Sequence, residues 1–231
     1  IGFDEDDEMP FAISIVLTLL TGIVLRYLGR HSDNTMSRRD AYLVVSLSWV
    51  IFSFFGTLPF VISGYIPSFT DAYFETMSGF TTTGATILDN IDALPHGLLF
   101  WRSMTQWIGG LGIVFFTTAI LPSFVGGSVK VFAAEATGPI SSKLHPRLST
   151  SAKWIWTVYF LLTLACALSF MAFGMGWFDS LNYAMGSTAT GGFSTHNDSA
   201  EFFRSPAIEY VATLYCFLAG ANSTPPPYAA A

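Results

Sequence analysis

Two short polar runs interrupt a strongly apolar sequence, and their residue types could form a site for a dehydrated cation. The first run is TTTGAT, residues 81–86, and the second lies within GSTATGGFST, residues 186–195. Glycine adopts the backbone torsions that turn successive carbonyl oxygens toward one axis, and threonine adds a hydroxyl oxygen on a stiff side chain. Carbonyls arranged in this way replace the hydration shell of potassium in selectivity filters. A single run of this kind is equally consistent with a polar turn between two helices.

The two runs belong to a longer internal repeat. FTDAYFETMSGFTTTGAT, residues 69–86, is echoed about 107 residues later by WFDSLNYAMGSTATGGFS, residues 177–194. Pairing Thr83-Gly84 of the first copy with Thr190-Gly191 of the second requires a gap of one residue. A long apolar segment precedes each copy and another follows it. Two copies in equivalent places favour a functional loop over a turn.

The segments around these runs are those of a membrane protein. Hydrophobic residues make up 52% of the 231 and charged residues only 11%, against roughly 25% charged in an average soluble domain. Five strongly apolar runs lack charge, and the middle three are long enough to cross a bilayer as helices. These runs are residues 9–25, 41–70, 103–129, 154–178 and 210–221.

A short helix is predicted before each polar run, as over residues 68–80, and it has too few residues to span the hydrocarbon. A polar loop at membrane depth is tolerated only where protein buries it or water lines it. The sequence therefore predicts an all-α membrane protein with re-entrant pore loops.

Basic residues fall in two segments that we predict to face the cytoplasm. Eight of the ten Lys and Arg residues lie within 26–39 and 130–153, and cytoplasmic loops carry such an excess. The polar loops then enter from the outer face, where most acidic residues also fall. Two interpretations stay open: acidic residues avoid the inner face, or an acidic outer mouth concentrates cations.

The sequence offers no pattern typical of an enzyme. The cysteines, Cys166 and Cys216, lie inside apolar segments, and the four histidines are scattered without ligand spacing. No phosphate-binding loop with its lysine is present, and no pairing of a nucleophile with a base can be identified. We therefore expect neither an enzyme nor an organic cofactor, and no binding to nucleic acid.

Several motifs in order resemble the Trk/Ktr/HKT superfamily of potassium transporters, and its bacterial TrkH branch most closely. The motifs are FETMSGFTTTGAT, FWRSMTQWIGGLGIVFFTTAILP, EATGP…KLHPR and GSTATGGFST, and together they cover most of residues 40–222. The resemblance implies potassium uptake across the bacterial inner membrane through a channel-like pore built from four membrane-pore-membrane repeats. Only two repeats are visible, so we expect a front-half fragment.

The expected organisation follows from this resemblance. An N-terminal transmembrane helix and a cytoplasmic loop occupy residues 1–40, and the first membrane-pore-membrane repeat occupies 41–130. A cytoplasmic linker over 131–150 leads to the second repeat over 151–222. Residues 223–231, three prolines and then an alanine-rich end, form an atypical tail that we expect to be non-native.

By position, the resemblance implies that carbonyl oxygens of both loops face potassium. The implied filter positions are Thr82, Thr83, Gly84, Ala189, Thr190 and Gly191, with Ala85 and Gly192 next outward. In this alignment Ala189 stands where the first loop has Thr82, so the second loop would lack that hydroxyl. Glycine at position 84 favours potassium, since serine there accompanies sodium permeation in plant relatives.

Three polar side chains near the first loop allow more than one role. Asp71 and Glu75 lie on one face of the short helix, and Glu75 either braces the filter through hydrogen bonds or raises the cation density. For Arg102, at the outer end of the next helix, snorkelling or an ion pair with outer acidic residues is favoured over ion gating. Close helix packing is favoured over a pore-lining bend for three glycines that follow, Gly109, Gly110 and Gly112.

The resemblance also implies partners. These are the lipid bilayer, a second copy of the full-length protein in a homodimer, and a cytosolic TrkA-type ring of nucleotide-binding regulatory subunits, for which the basic loop over 126–153 offers a docking surface. Two other functions stay open: a two-repeat cation channel subunit that dimerises to supply four loops, and a non-conducting membrane scaffold.

Overall fold

A computed structural model of the chain describes residues 8–30, 38–112 and 148–220, and every regular element in those ranges is a helix. This confirms the predicted all-α membrane fold. The predicted linker over 131–150 lies almost wholly outside the described residues, and the tail over 223–231 lies outside them entirely. The helices, in chain order, are α1 (Glu8–Gly29), α2 (Arg38–Gly56), α3 (Leu58–Ser63), α4 (Phe69–Phe80), α5 (His96–Gly110), α6 (Leu148–Ala172), α7 (Trp177–Thr188), a 3-10 helix (Ser199–Phe203) and α8 (Pro206–Gly220).

Within the described ranges, three helical stretches are long and apolar enough to cross a membrane. Only two residues of α1, Pro10 and Ser14, are buried inside the protein, so most of its apolar side chains face outward, as expected for a helix solvated by lipid. Its hydroxyl groups, such as those of Ser14 and Thr18, donate to carbonyl oxygens four residues earlier at 2.7 Å. These hydroxyl groups therefore do not face the lipid without a hydrogen-bond partner. The three stretches are Glu8–Gly29, Ser46–Ser63 and Ile155–Ala172.

The two short helices occupy equivalent places in the two halves of the chain. Helices α4 and α7 have 12 residues each, a length of about 18 Å at 1.5 Å per residue, which is less than the ~30 Å of hydrocarbon. Helix α4 follows the long apolar stretch Ser46–Ser63, α7 follows α6, and each short helix precedes a polar loop. The prediction of a non-spanning helix over residues 68–80 agrees with α4.

Helix α5 lies between the two short helices and contacts both α4 and α7. Glycines make this close approach possible: a Cβ at Gly109 would collide with the carbonyl oxygen of Phe80, and one at Gly110 would lie 2.9 Å from the Cα of Ala189. The close-packing interpretation of these two glycines is thereby supported over a pore-lining bend. The buried side chains of α5 are Leu98, Leu99, Arg102, Ser103, Thr105 and Gln106.

Candidate functional site

The two polar loops follow the same backbone course, and their match runs without a gap. Thr82 and Gly84 have positive φ of 53° and 75°, and Thr190 and Gly192 have positive φ of 52° and 89°. The hydrogen bonds that end the short helices also correspond: the amide of Thr82 donates to the carbonyl of Gly79, and that of Thr190 donates to the carbonyl of Ser187. Every pair is related by one shift of 108 positions, as from 82 to 190 and from 84 to 192.

The predicted alignment with a one-residue gap is therefore wrong. Thr190 occupies the place of Thr82, Gly192 occupies the place of Gly84, and Ala189 corresponds to Thr81. The second loop thus keeps the threonine at the shared position instead of lacking it. Ala189 is 4% exposed and its Cα lies close to α5, so its side chain belongs to helix packing. The Thr-Gly dipeptide recurs one residue out of register, which is why sequence similarity alone favoured the gap.

The loops touch each other at a glycine. A Cβ built on Gly84 would collide with the carbonyl oxygen of Gly191. The positive φ of Gly84 already disfavours any other residue, and this contact adds a steric reason. Gly84 therefore belongs to the interface between the two loops as well as to the first loop.

The carbonyl oxygens at the centre of both loops are free of protein donors. Among the residues that the structure describes, none donates a hydrogen bond to the carbonyl oxygens of 82–84 or of 190–192. Thr83, Thr190 and Gly192 are exposed and Thr82 and Gly84 partly exposed. These carbonyls are consequently available to a cation.

A buried carboxylate braces the first loop. Glu75 of α4 is 1% exposed, and its two carboxylate oxygens accept hydrogen bonds from the Thr86 hydroxyl at 2.9 and 3.0 Å and from the Ile87 amide at 3.1 Å. Of the two roles open to Glu75, this geometry favours bracing, because the carboxylate is turned away from solvent and occupied by donors. Asp71 lies in the first turn of α4, away from the loop, where it is exposed and its amide donates to the Ser68 hydroxyl at 3.4 Å.

Arg102 of α5 connects the outer ends of both loops. Its Nε donates to Glu75 Oε1 at 2.9 Å, and its Nη1 donates to the carbonyl oxygen of Ser194 in the second loop at 3.0 Å. The guanidinium also lies 4.3 Å from the ring centroid of Phe193. The expected ion pair therefore exists, but its partner is a buried glutamate and Arg102 itself is only 1% exposed.

The second loop is held in a different way. Tyr183 stands where the first repeat has Glu75, and the anchoring carboxylate is Asp179, whose Oδ1 accepts from the Thr195 hydroxyl at 2.7 Å. The amide of Phe193 donates to Oε1 of Gln106 on α5 at 3.1 Å. Next along the chain, His196 Nδ1 lies 2.7 Å from Asp92 Oδ1, which ties this loop to the segment after the first one.

Sequence reasoning missed Gln106. The available signal was its spacing from Arg102: two polar side chains four residues apart lie on the same face of a helix. Within the apolar segment after the first loop, that face is the one turned toward the loops.

The chain is similar to known cation transport proteins. The family model described as "TrkH: Cation transport protein" matches residues 7–224. The chain is 41% identical over 218 residues to the Trk system potassium uptake protein TrkH of Halomonas elongata, covering 94% of this chain and 45% of that protein. It is 39% identical over 214 residues to the TrkH protein of Escherichia coli strain K12, covering 92% and 44%.

Among solved structures, the chain is similar to the potassium transporter TrkH from Vibrio parahaemolyticus. The TM-score is 0.74 at 36% sequence identity, and the match covers 92% of this chain and 42% of that one. The chain thus spans less than half the length of the relatives it matches.

Proposed function

Because the chain belongs to the TrkH family of cation transport proteins, we propose that it supplies two of the loops that line a potassium uptake pathway. It is a multi-pass protein of the bacterial inner membrane, as the sequence predicts. In the proposed pathway, potassium loses its water at the outer face and moves down its electrochemical gradient between the loops. Transport instead of catalysis is supported by the relatives, which are named as potassium uptake proteins.

The observation that carries this proposal is the set of free carbonyls on two loops that meet at Gly84 and Gly191. We propose that potassium is coordinated by carbonyl oxygens of Thr82, Thr83 and Gly84 and, in the register without a gap, of Thr190, Gly191 and Gly192. The proposed filter of the second loop therefore includes Gly192 and no longer includes Ala189. Ala85, and Phe193 at the matching place, then lie next outward.

The remaining half of the pathway would come from the part of the relatives' length that this chain does not match. The coverage of 45% favours two further repeats in the same protein over a two-repeat subunit that dimerises. Mass measurement of the full-length protein in detergent separates these alternatives. A homodimer and a cytosolic TrkA-type regulatory ring are further proposals, and the same measurement with and without the ring tests both.

The proposed filter is tested by Gly84→Ser in the full-length protein reconstituted into liposomes. We expect the uptake of potassium relative to sodium to fall, because a side chain at this position forces Gly191 and its carbonyl away. Gly64→Ser is the matched control, since Gly64 has a similar φ of 78° but open space around its Cβ position. An unchanged potassium preference in Gly84→Ser would refute the filter assignment, and an absence of uptake of either ion by the unaltered full-length protein would favour the non-conducting scaffold.

A further inference from the structure

Gln106 lies between the two loops with its amide group fully enclosed. It is 0% exposed on α5, one turn after Arg102. Its Oε1 accepts the hydrogen bond of the Phe193 amide at 3.1 Å. Its Nε2 is buried and has no partner among the described residues. Buried amide donors are normally paired, so an unpaired one in a native protein requires an explanation.

The glycines around Gln106 indicate what the amide group contacts. A Cβ at Gly191 would lie 2.5 Å from Oε1 and 2.7 Å from Nε2, and a Cβ at Gly186 would lie 3.4 Å from Oε1. The nearest side-chain atom to the Cβ position of Gly84 is Nε2, at 3.8 Å. The amide group of Gln106 therefore packs against the backbone of the second loop and faces the first loop where the two loops meet.

We propose that Gln106 is a positioning residue that sets the spacing between the two loops and thereby the preference for potassium over sodium. This inference rests on the proposed function of the same site. Its Oε1 holds the second loop through Phe193, and the bulk of its amide group fixes how near Gly191 comes to α5. Selectivity in carbonyl filters depends on the size of the cage or on the number and field strength of its oxygens, and loop spacing alters both.

Three substitutions separate the parts of this role. Gln106→Leu keeps most of the volume and removes both polar atoms, and Gln106→Asn keeps the amide but shortens it by one methylene. Gln106→Glu keeps an oxygen that can accept from Phe193. We expect the ratio of potassium to sodium uptake to fall about fivefold in Gln106→Leu and Gln106→Asn, the factor that corresponds to one lost neutral hydrogen bond, and to fall less in Gln106→Glu.

Asn182→Leu is the matched control. Asn182 is also a buried amide, 1% exposed, but its Nδ2 donates within α7 to the carbonyl oxygen of Phe178 at 2.7 Å. Removing it perturbs a buried polar group without touching the loop contact. We expect the uptake ratio to stay at the wild-type value in this variant, even if its thermal stability falls.

The assay is uptake of potassium and of sodium by full-length protein in liposomes, with Gly84→Ser measured in parallel. A loss of selectivity in the Gln106 variants, with Asn182→Leu unaffected, supports the inference. An unchanged ratio in Gln106→Leu, or equal losses in Gln106→Leu and Asn182→Leu, overturns it while Gly84→Ser still reports on the filter itself. If Gln106→Leu does not fold, the comparison of Gln106→Asn with Gln106→Glu decides, and equal ratios for those two overturn the inference.

Discussion

The two polar loops share a backbone but differ in what holds it. The first is braced from its own short helix by Glu75, whose carboxylate binds the loop directly and pairs with Arg102. The second has Tyr183 at the corresponding place; it is held by Gln106 and Arg102 of α5 and by Asp179 in the first turn of its own short helix. The two copies therefore share their loop torsion angles and the hydrogen bonds that end their short helices, whereas different side chains hold each loop in place.

Helix α5 is the element that the two copies share. Arg102 reaches Glu75 beside the first loop and Ser194 in the second, and Gln106 lies one turn further along the same face. A rigid helix that contacts both loops fixes their relative position more firmly than either loop could alone. Substitutions on α5 are accordingly expected to affect both loops, and substitutions on α4 or α7 mainly one.

The largest expected effect is the loss of Arg102. Arg102→Met removes one member of an ion pair whose members are each 1% exposed, and breaking a buried pair costs about 3–5 kcal/mol because the remaining charge is left uncompensated. We expect a large fall in the thermal stability of the full-length protein in detergent. The double variant Arg102→Met with Glu75→Gln leaves no buried charge, so it should recover part of that loss. Equal stability of the single and double variants would show that the pair does not brace the loops.

A smaller effect is expected from a matched pair of threonine substitutions that compares the two braces. Thr86→Val removes a donor from the buried Glu75, and Thr195→Val removes one from Asp179, whose side chain is 23% exposed. A hydrogen bond to a charged group contributes about 1.5–3 kcal/mol, and partial exposure reduces that value. Thr86→Val should therefore lower the melting temperature more than Thr195→Val, and the reverse order would contradict the difference between the braces.

The helices were predictable because they depend on local properties, and the re-entrant character of the loops stays a prediction from the same properties. Apolar length indicated the spans within 41–70 and 154–178, whereas the run over 103–129 lies mostly outside the described residues and the span Glu8–Gly29 was not among those predicted to be long enough. The short helix predicted over residues 68–80 is observed as Phe69–Phe80. A polar loop beside it could lie at membrane depth only if it was enclosed. These arguments need composition and spacing alone.

The register of the second loop and the partners of the side chains were not predictable in the same way. The identical dipeptides Thr83-Gly84 and Thr190-Gly191 favoured an alignment with a gap, whereas the structure pairs residues 82–84 with residues 190–192. The sequence does not show which residues have positive φ, and those torsions define the register. Glu75 and Arg102 are 27 positions apart, and only the packing of α4 against α5 selects this pairing over snorkelling. The amide group of Gln106 lies against the second loop because Gly191 has no side chain in the way. That contact depends on the fold and cannot be read from the sequence around position 106.

The most direct measurement is the anomalous scattering of rubidium in crystals of the full-length protein, with rubidium in place of potassium. The proposed pathway predicts rubidium peaks between the two loops, coordinated by carbonyl oxygens of Thr82, Thr83 and Gly84 and of Thr190, Gly191 and Gly192. Peaks confined to other residues, or none at these carbonyls in protein that transports potassium, would contradict the assignment of these loops as the filter.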